Sequence, residues 1–309
     1  MHSFPLTVTK ILALSVIIFF ICLNGFANEG SSLYKDLGFE GVHSNEVEAL
    51  RQKYLTTHKE WLYTILDNAE SYRIYVRNQL EKKNLPPILE YLPVVESDYI
   101  PTAKSKSGAT GMWQFMLNSV KPFLKCDDYV DERLDQWKST DAALLKLSDN
   151  YKMFKDWLLA ITAYNCVAGA LRRTIKKAGS DDFWYLRKNG FLSEQASGYV
   201  PKLLAIADVC ENAYFYGVEM PTARDENGKT VNIRAGLFDY IVVKKSVSID
   251  VLSSELRIDE NELKRLNLAL VKGITPPHSE YAIRFPEGME KSALHALERL
   301  GISPYIHNH

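Results

Sequence analysis

The chain has 309 residues, a length that suits two domains, and 37 Lys plus Arg against 38 Asp plus Glu leave a formal charge of -1. That balance supplies no basic field for a phosphate backbone, so nucleic acid is not an expected partner. The seven His fall in no HExxH pattern, the Cys in no paired spacing, and GxGxxG and P-loop patterns are absent, so no metal and no cofactor is expected.

At the N-terminus, Lys10 precedes the apolar run ILALSVIIFFICL, and Gly25-Phe26-Ala27 supplies small residues where a signal peptidase reads. Residues 1–27 therefore read as a secretory signal peptide. The run is shorter than the roughly 20 residues of a spanning helix, with an uncleaved anchor as the alternative. Cys22 sits between Ile21 and Leu23, which is no small-residue lipobox, so membrane association would require a retained or lipidated signal. The mature chain keeps Cys126, Cys166 and Cys210, widely spaced, which form no disulfide framework.

Residues 28–84 read as a helical N-terminal extension, with Val47, Leu50, Tyr54, Trp61, Ile65, Tyr72 and Val76 at mainly helical intervals along long amphipathic helices. The run LPPILEYLPVVE then starts a short helix at Pro86-Pro87 whose last turn carries Glu96 among Leu92, Val94 and Val95. A carboxyl group in apolar surroundings suits a general acid: lifting a Glu from about 4.3 to about 6 takes roughly 2 kcal/mol of desolvation. Asp98, two residues on, is turned away from Glu96 by about half a circle and reads as a solvated or capping residue.

Beyond it, Ser105 and the small residues Gly108, Ala109 and Gly111 form a loop that lets backbone approach a ligand. Gln114 offers donors and an acceptor, and Trp113 and Phe115 offer flat faces for sugar rings. WLLAITAYNCVAGAL places Tyr164 and Asn165 at the end of an apolar helix, and SEQASGYVPKLLAIADV places Tyr199 before Pro201, at the first turn of another. Gly217 to Gly236 reads as a polar linker. From Phe238, FDYIVVKK is β-like, SIDVLSSELRIDENELKRLN gives two short helices and YAIRFP is β-like again, a β-α-α-β module over 237–290 followed by a tail over 291–309.

In this order the motifs Glu96-Ser97, Ser105, Gly108-Ala109-Thr110-Gly111, Gln114, Ala163-Tyr164-Asn165 and Tyr199 resemble those of lytic transglycosylases of the soluble-lytic, goose-type-lysozyme-like group, glycoside hydrolase family 23. The resemblance implies a mainly α fold, with a lysozyme-like helical catalytic domain over 85–216. It also implies cleavage of the β-1,4 bond between N-acetylmuramic acid and N-acetylglucosamine with a 1,6-anhydromuramyl product. Glu96 would be the single catalytic carboxyl group, and Ser97, Ser105, Gly111, Met112, Gln114, Phe115, Tyr164, Asn165 and Tyr199 would bind substrate.

The C-terminal module resembles a lysin-motif (LysM) domain, with Leu266-Asn267 matching its recurring pair and Ser246-Val247-Ser248-Ile249 replacing its usual opening. The implied partner is the peptidoglycan glycan strand, in the periplasm, with wall-synthesis or division proteins as further partners left open. A hydrolytic muramidase on the same fold and a non-catalytic murein-binding or scaffold protein are the alternatives. One departure stands out: Val167 follows where the group has Gly, and the reading adopted is an ordinary backbone there.

Overall fold

The computed structural model describes residues 41, 44–221 and 238–303. The expected signal peptide, the extension up to residue 40, most of the linker and the last six residues lie outside them. Among the described residues, no helix is long and apolar enough to cross a membrane. The chain forms two compact bodies, one of residues 153–218 with the segment ending at Leu55, the other of residues 56–152 with those from 219 onward.

In the first body, helix α1 (Asn45–Leu55) packs its Val47, Arg51 and Tyr54 face on a later helix, Glu194–Glu211. A buried charge fixes that contact: Asp208 accepts from the Arg51 guanidinium, from the Asn212 amide at 2.6 Å and from the Tyr216 hydroxyl at 2.7 Å. Three partners on one carboxylate replace the water it gives up. The same burial and negative charge push the Tyr216 hydroxyl well above the ordinary phenol range.

In the second body, the extension continues as helices α2 (Lys59–Asn68) and α3 (Glu70–Lys82). The three helices of the extension are short, at 11, 10 and 13 residues, instead of the long helices its periodicity suggests. Ala69, with φ -93 and ψ 2, ends α2 and starts α3 in a single bend. Arg73 and Arg77, one turn apart on α3, close on the fully buried Glu90. Glu90 lies in the 3-10 turn Pro87–Tyr91 that leads into α4 (Leu92–Ser97), so the ion cluster fixes where α4 begins. Removing one member of such a cluster leaves an uncompensated buried charge and costs about 3–5 kcal/mol.

Helix α5 (Gln136–Phe154) follows, then α6 (Trp157–Cys166), α7 (Ala168–Ala178), α8 (Phe183–Lys188) and α9 (Glu194–Glu211). Helix α9 starts at the Ser193 cap, earlier than its proline suggests, and Pro201 lies inside it. Tyr199 consequently sits in the second turn, not the first.

The C-terminal module pairs β1 (Phe238–Val243) with β2 (Tyr281–Pro286), antiparallel and in register at Ile241 and Ile283. Between them run α10 (Ile249–Leu256) and α11 (Glu260–Leu266). A further helix, α12 (Glu290–Arg299), lies in the stretch the sequence reading leaves as a tail. Its Ala293, Ala296 and Leu297 enter the same core as Val243, Leu252, Leu263 and Phe285, so the module extends past residue 290.

That core also takes in Val130, which belongs to the segment before α5. The backbones join there, with the Asp131 N–H donating to the Ala269 carbonyl at 2.8 Å and the Val271 N–H to that of Tyr129 at 3.0 Å. Beside this seam the Arg284 guanidinium lies over the rings of Trp137 and Phe238, 4.7 and 4.9 Å from their centroids.

Candidate active site

Helix α4 is short because proline shapes its entry and the backbone reverses at its exit. Pro93 occupies the first turn, where a missing N–H costs nothing. At the other end Asp98 and Tyr99 both take the left-handed conformation, with φ of 54 and 59. Two consecutive non-glycine residues there are costly for L-amino acids and persist only when their surroundings hold them. Here the Asp98 and Tyr99 N–H groups return to the carbonyls of Val94 and Pro93, and the buried Tyr99 ring donates its hydroxyl to the carbonyl of Glu90. Glu96 stands half-buried in the last turn, next to the buried Leu92 and Val94.

The turn gives the two neighbouring acids different surroundings. Glu96 acts on Lys146 of α5, whose ammonium also lies 5.5 Å from the centre of the Phe115 ring. Burial pushes the Lys146 ammonium below its ordinary pKa, and the negative charge of Glu96 opposes that shift. Asp98 instead accepts a hydrogen bond from the indole of Trp61 on α2, and burial raises its carboxyl above the usual range. Of the two roles expected for Asp98, solvated or capping, it takes the capping one, at the C-terminal end of α4, and is half-buried. Lys146 escapes a reading of the sequence because it is one charge inside the apolar run of α5.

Ser97 donates to the Met112 carbonyl at 2.8 Å and thereby ties α4 to the glycine loop. Within that loop, the Ser105 hydroxyl accepts from the Ala109 N–H at 3.0 Å, and the Ser105 N–H donates to the Ala109 carbonyl at 2.9 Å. Gly111 has φ +87, and a Cβ there would lie 1.8 Å from the Arg133 carbonyl oxygen, so a side chain is excluded both by conformation and by space. The guanidinium of Arg133 grips the same loop through the carbonyls of Gly108 and Phe115, at 3.2 and 3.3 Å. Asp131 holds that guanidinium with a two-point pair. Gln114 directs its amide nitrogen to the Gly111 carbonyl at 2.8 Å, which commits the donor half of the side chain to the loop.

Three expected contacts need correction. Trp113 and Phe115 do not present faces for sugar stacking, because their rings are 0 % and 2 % exposed. The Trp113 indole donates to Thr140 at 2.9 Å, so it is a core anchor. Met112 is equally buried, and its backbone carbonyl, not its thioether, does the structural work. These residues shape the loop from behind.

Tyr164, Asn165 and Tyr199 belong to the other body. Asp156 caps α6 by accepting from the Leu159 N–H at 2.7 Å, and the helix is buried from Leu158 to Tyr164 before Asn165 emerges half-buried. Tyr164 and Tyr199 are both buried, on helices α6 and α9 that pack together. The ordinary backbone expected at Val167 is overturned: its φ is +69 and its ψ 127, a conformation that a β-branched residue rarely adopts. It serves at once as the end of α6 and the start of α7.

Two stretches of the chain match known protein families. Residues 74–186 match the transglycosylase SLT domain, and residues 237–301 match the LysM-like domain of lytic transglycosylase MltD. The chain is 34% identical over 242 residues to membrane-bound lytic murein transglycosylase D of Escherichia coli strain K12, covering 76% of this chain and 50% of that protein. The same protein from Escherichia coli O6:H1 gives the same values. A putative tributyltin chloride resistance protein of Alteromonas sp. strain M-1 is 36% identical over 129 residues, 41% of this chain and 61% of its own length. The chain thus spans about half the length of the two murein transglycosylases it matches.

Proposed function

We propose that this chain, which carries a transglycosylase SLT domain followed by an MltD-type LysM-like domain, is a lytic transglycosylase that cleaves peptidoglycan between N-acetylmuramic acid and N-acetylglucosamine. The observation that carries the reading is the position of Glu96: half-buried at the end of α4, beside the loop that Ser97 ties to the helix, with its one close acidic neighbour in sequence bound elsewhere. Most glycosidases need a second carboxylate across the sugar, and Asp98 is engaged with Trp61 instead.

One carboxyl group then serves twice. Glu96 donates its proton to the glycosidic oxygen as the bond from that oxygen to muramyl C1 breaks. The resulting carboxylate accepts the proton of the muramyl C6 hydroxyl as O6 bonds to C1. Atoms balance without water, and the product is a 1,6-anhydromuramyl end. In this scheme Ser105 and Gln114 position the sugar and its N-acetyl group, Ser97, Gly111, Met112 and Phe115 frame their loop, and the motif positions of Tyr164, Asn165 and Tyr199 assign these to substrate binding as well. The C-terminal module binds the glycan strand, and residues 1–27 direct the chain to the periplasm, where that strand lies.

Mass spectrometry of muropeptides released from purified sacculi tests the proposal, with Glu96→Gln alongside. Anhydromuramyl products that vanish in Glu96→Gln are expected. Reducing muramyl ends would make the chain a hydrolytic muramidase, and binding without release would make it a murein-binding protein.

A further inference from the structure

On the side of the α4 turn where Asp98 sits, a cavity of about 530 Å³ opens between helices α2 and α3 and the residues that follow α4. Its size falls within the range of small-ligand pockets. Trp61, Ile65, Ala69 and Tyr72 line it from the helices, and Asp98 to Pro101 line it from the turn. The charged residues among its lining are Asp98 and Glu60, both acidic, and neither Lys nor Arg contributes. Glu60 is a rim residue, largely exposed and 3.7 Å from Lys59, and His58 stands outside it with its ring 6.0 Å from that of Trp61. Asp98 is the inner charge.

We propose that this cavity binds a primary ammonium group carried on an aliphatic arm. Trp61 and Tyr72 line the cavity with aromatic surface, and the aliphatic arm would pack on them and cover Ile65 and Ala69. The ammonium then meets Asp98, a carboxylate that burial penalises and that the Trp61 indole offsets by one hydrogen bond. The left-handed pair at Asp98 and Tyr99 is what turns this carboxylate toward α2, so the strain of that turn has a use.

If the chain acts on peptidoglycan as proposed above, the matching group in the substrate is the free side-chain amine of a diamino acid in the stem peptide. The pocket would then read the peptide two residues away from the acid that cleaves the glycan.

The test is calorimetric titration of the full mature chain carrying Glu96→Gln, so that binding is read without turnover. The probes are Nα-acetyl-lysine methylamide, the same compound acetylated on its ε-amine, and chitotriose as a neutral sugar. Saturable binding of the amine probe is expected, with at least a tenfold loss on ε-acetylation and a similar loss in Asp98→Asn. Asn tolerates the left-handed conformation, so this variant keeps the turn. Trp61→Phe keeps a ring and removes the indole donor, and it should retain part of the affinity. Equal binding of the acetylated probe, affinity unchanged in Asp98→Asn, or displacement by chitotriose would overturn the inference. Absence of any binding would do the same. Release of anhydro products by the unmutated chain is scored separately, so that either reading can fail alone.

Discussion

Arg284 of β2 donates to Asp135 at 2.6 Å, with both side chains almost fully buried. The other oxygen of that carboxylate accepts from the N–H groups of Trp137 and Lys138, at 3.1 and 2.9 Å, and so caps α5. One acid therefore starts the helix that carries Lys146 and anchors the C-terminal module. Arg284→Met leaves Asp135 buried without its cation and should lower unfolding free energy by about 3–5 kcal/mol. Urea denaturation measures this, and a change under 1 kcal/mol would show that the cap alone neutralises the carboxylate.

At Val167 a substitution should help. The side chain is 62 % exposed, so removing it sacrifices little burial, while its φ of +69 is expensive for valine. Relief of about 1–3 kcal/mol of strain, less about 0.4–1 kcal/mol for the freer unfolded chain, leaves Val167→Gly more stable by about 1 kcal/mol. The thermal midpoint should rise by about 2–4 °C. An unchanged or lower midpoint would mean that the valine sits there without strain.

Lys146 carries a pH-dependent effect whose sign can be worked out. Its folded pKa lies below the ordinary 10.5, so the unfolded chain holds the proton more tightly. Below the folded pKa the folded state bears the full penalty of the buried ammonium. As pH rises from the folded pKa to 10.5, that penalty is released and stability increases. Lys146→Met should therefore stabilise the protein at neutral pH. It should also move the limb of the pH–rate profile assigned to Glu96 to higher pH, because the cation that favours its carboxylate is gone. A limb that stays in place would uncouple the two side chains.

Cys126 should be a poor nucleophile. Burial pushes its thiol up to about 11, reinforced by Asp131, to which it donates at 3.2 Å. Iodoacetamide labelling of the folded protein should be slow at pH 7 and accelerate toward pH 11. Because the folded pKa is raised above 9.0, the stability tied to this thiol is intact below about pH 9 and is lost as pH passes through about 11. Fast labelling at neutral pH would contradict the raised pKa of this half-buried thiol.

The parts of this molecule that the sequence announces are those where a side-chain type is demanded by backbone geometry. Gly111 is one, since nothing else fits against the Arg133 carbonyl. The entry to α4 was readable from Pro86-Pro87, and the β-α-α-β order of the module from its alternation of β-like and helical apolar patterns, whereas the left-handed pair at Asp98 and Tyr99 was not. Burial was harder to read. Trp113 and Phe115 resemble sugar platforms in a string of letters, and Thr140, 27 residues from Trp113, is what makes the indole a core group. Lys146 and Glu90 gain their meaning from partners far along the chain, which spacing cannot reveal. Helix α12 could have been found from Ala293, Ala296 and Leu297 at helical spacing, and the Pro-containing α9 hid its start because Ser193 caps it earlier.

The seam at Val130 bears on how such a chain can be cut and rejoined. A module hung on a flexible tether can be excised, duplicated or transplanted without disturbing its neighbour. Here excision after the linker would bare Tyr129, Val130 and Trp137, strip Asp135 of its cation and remove the backbone partners of the Tyr129 carbonyl and the Asp131 N–H. A fragment ending before residue 238 would then be destabilised and expose an apolar face, and the module is better altered by swapping its surface residues while its footing stays in place.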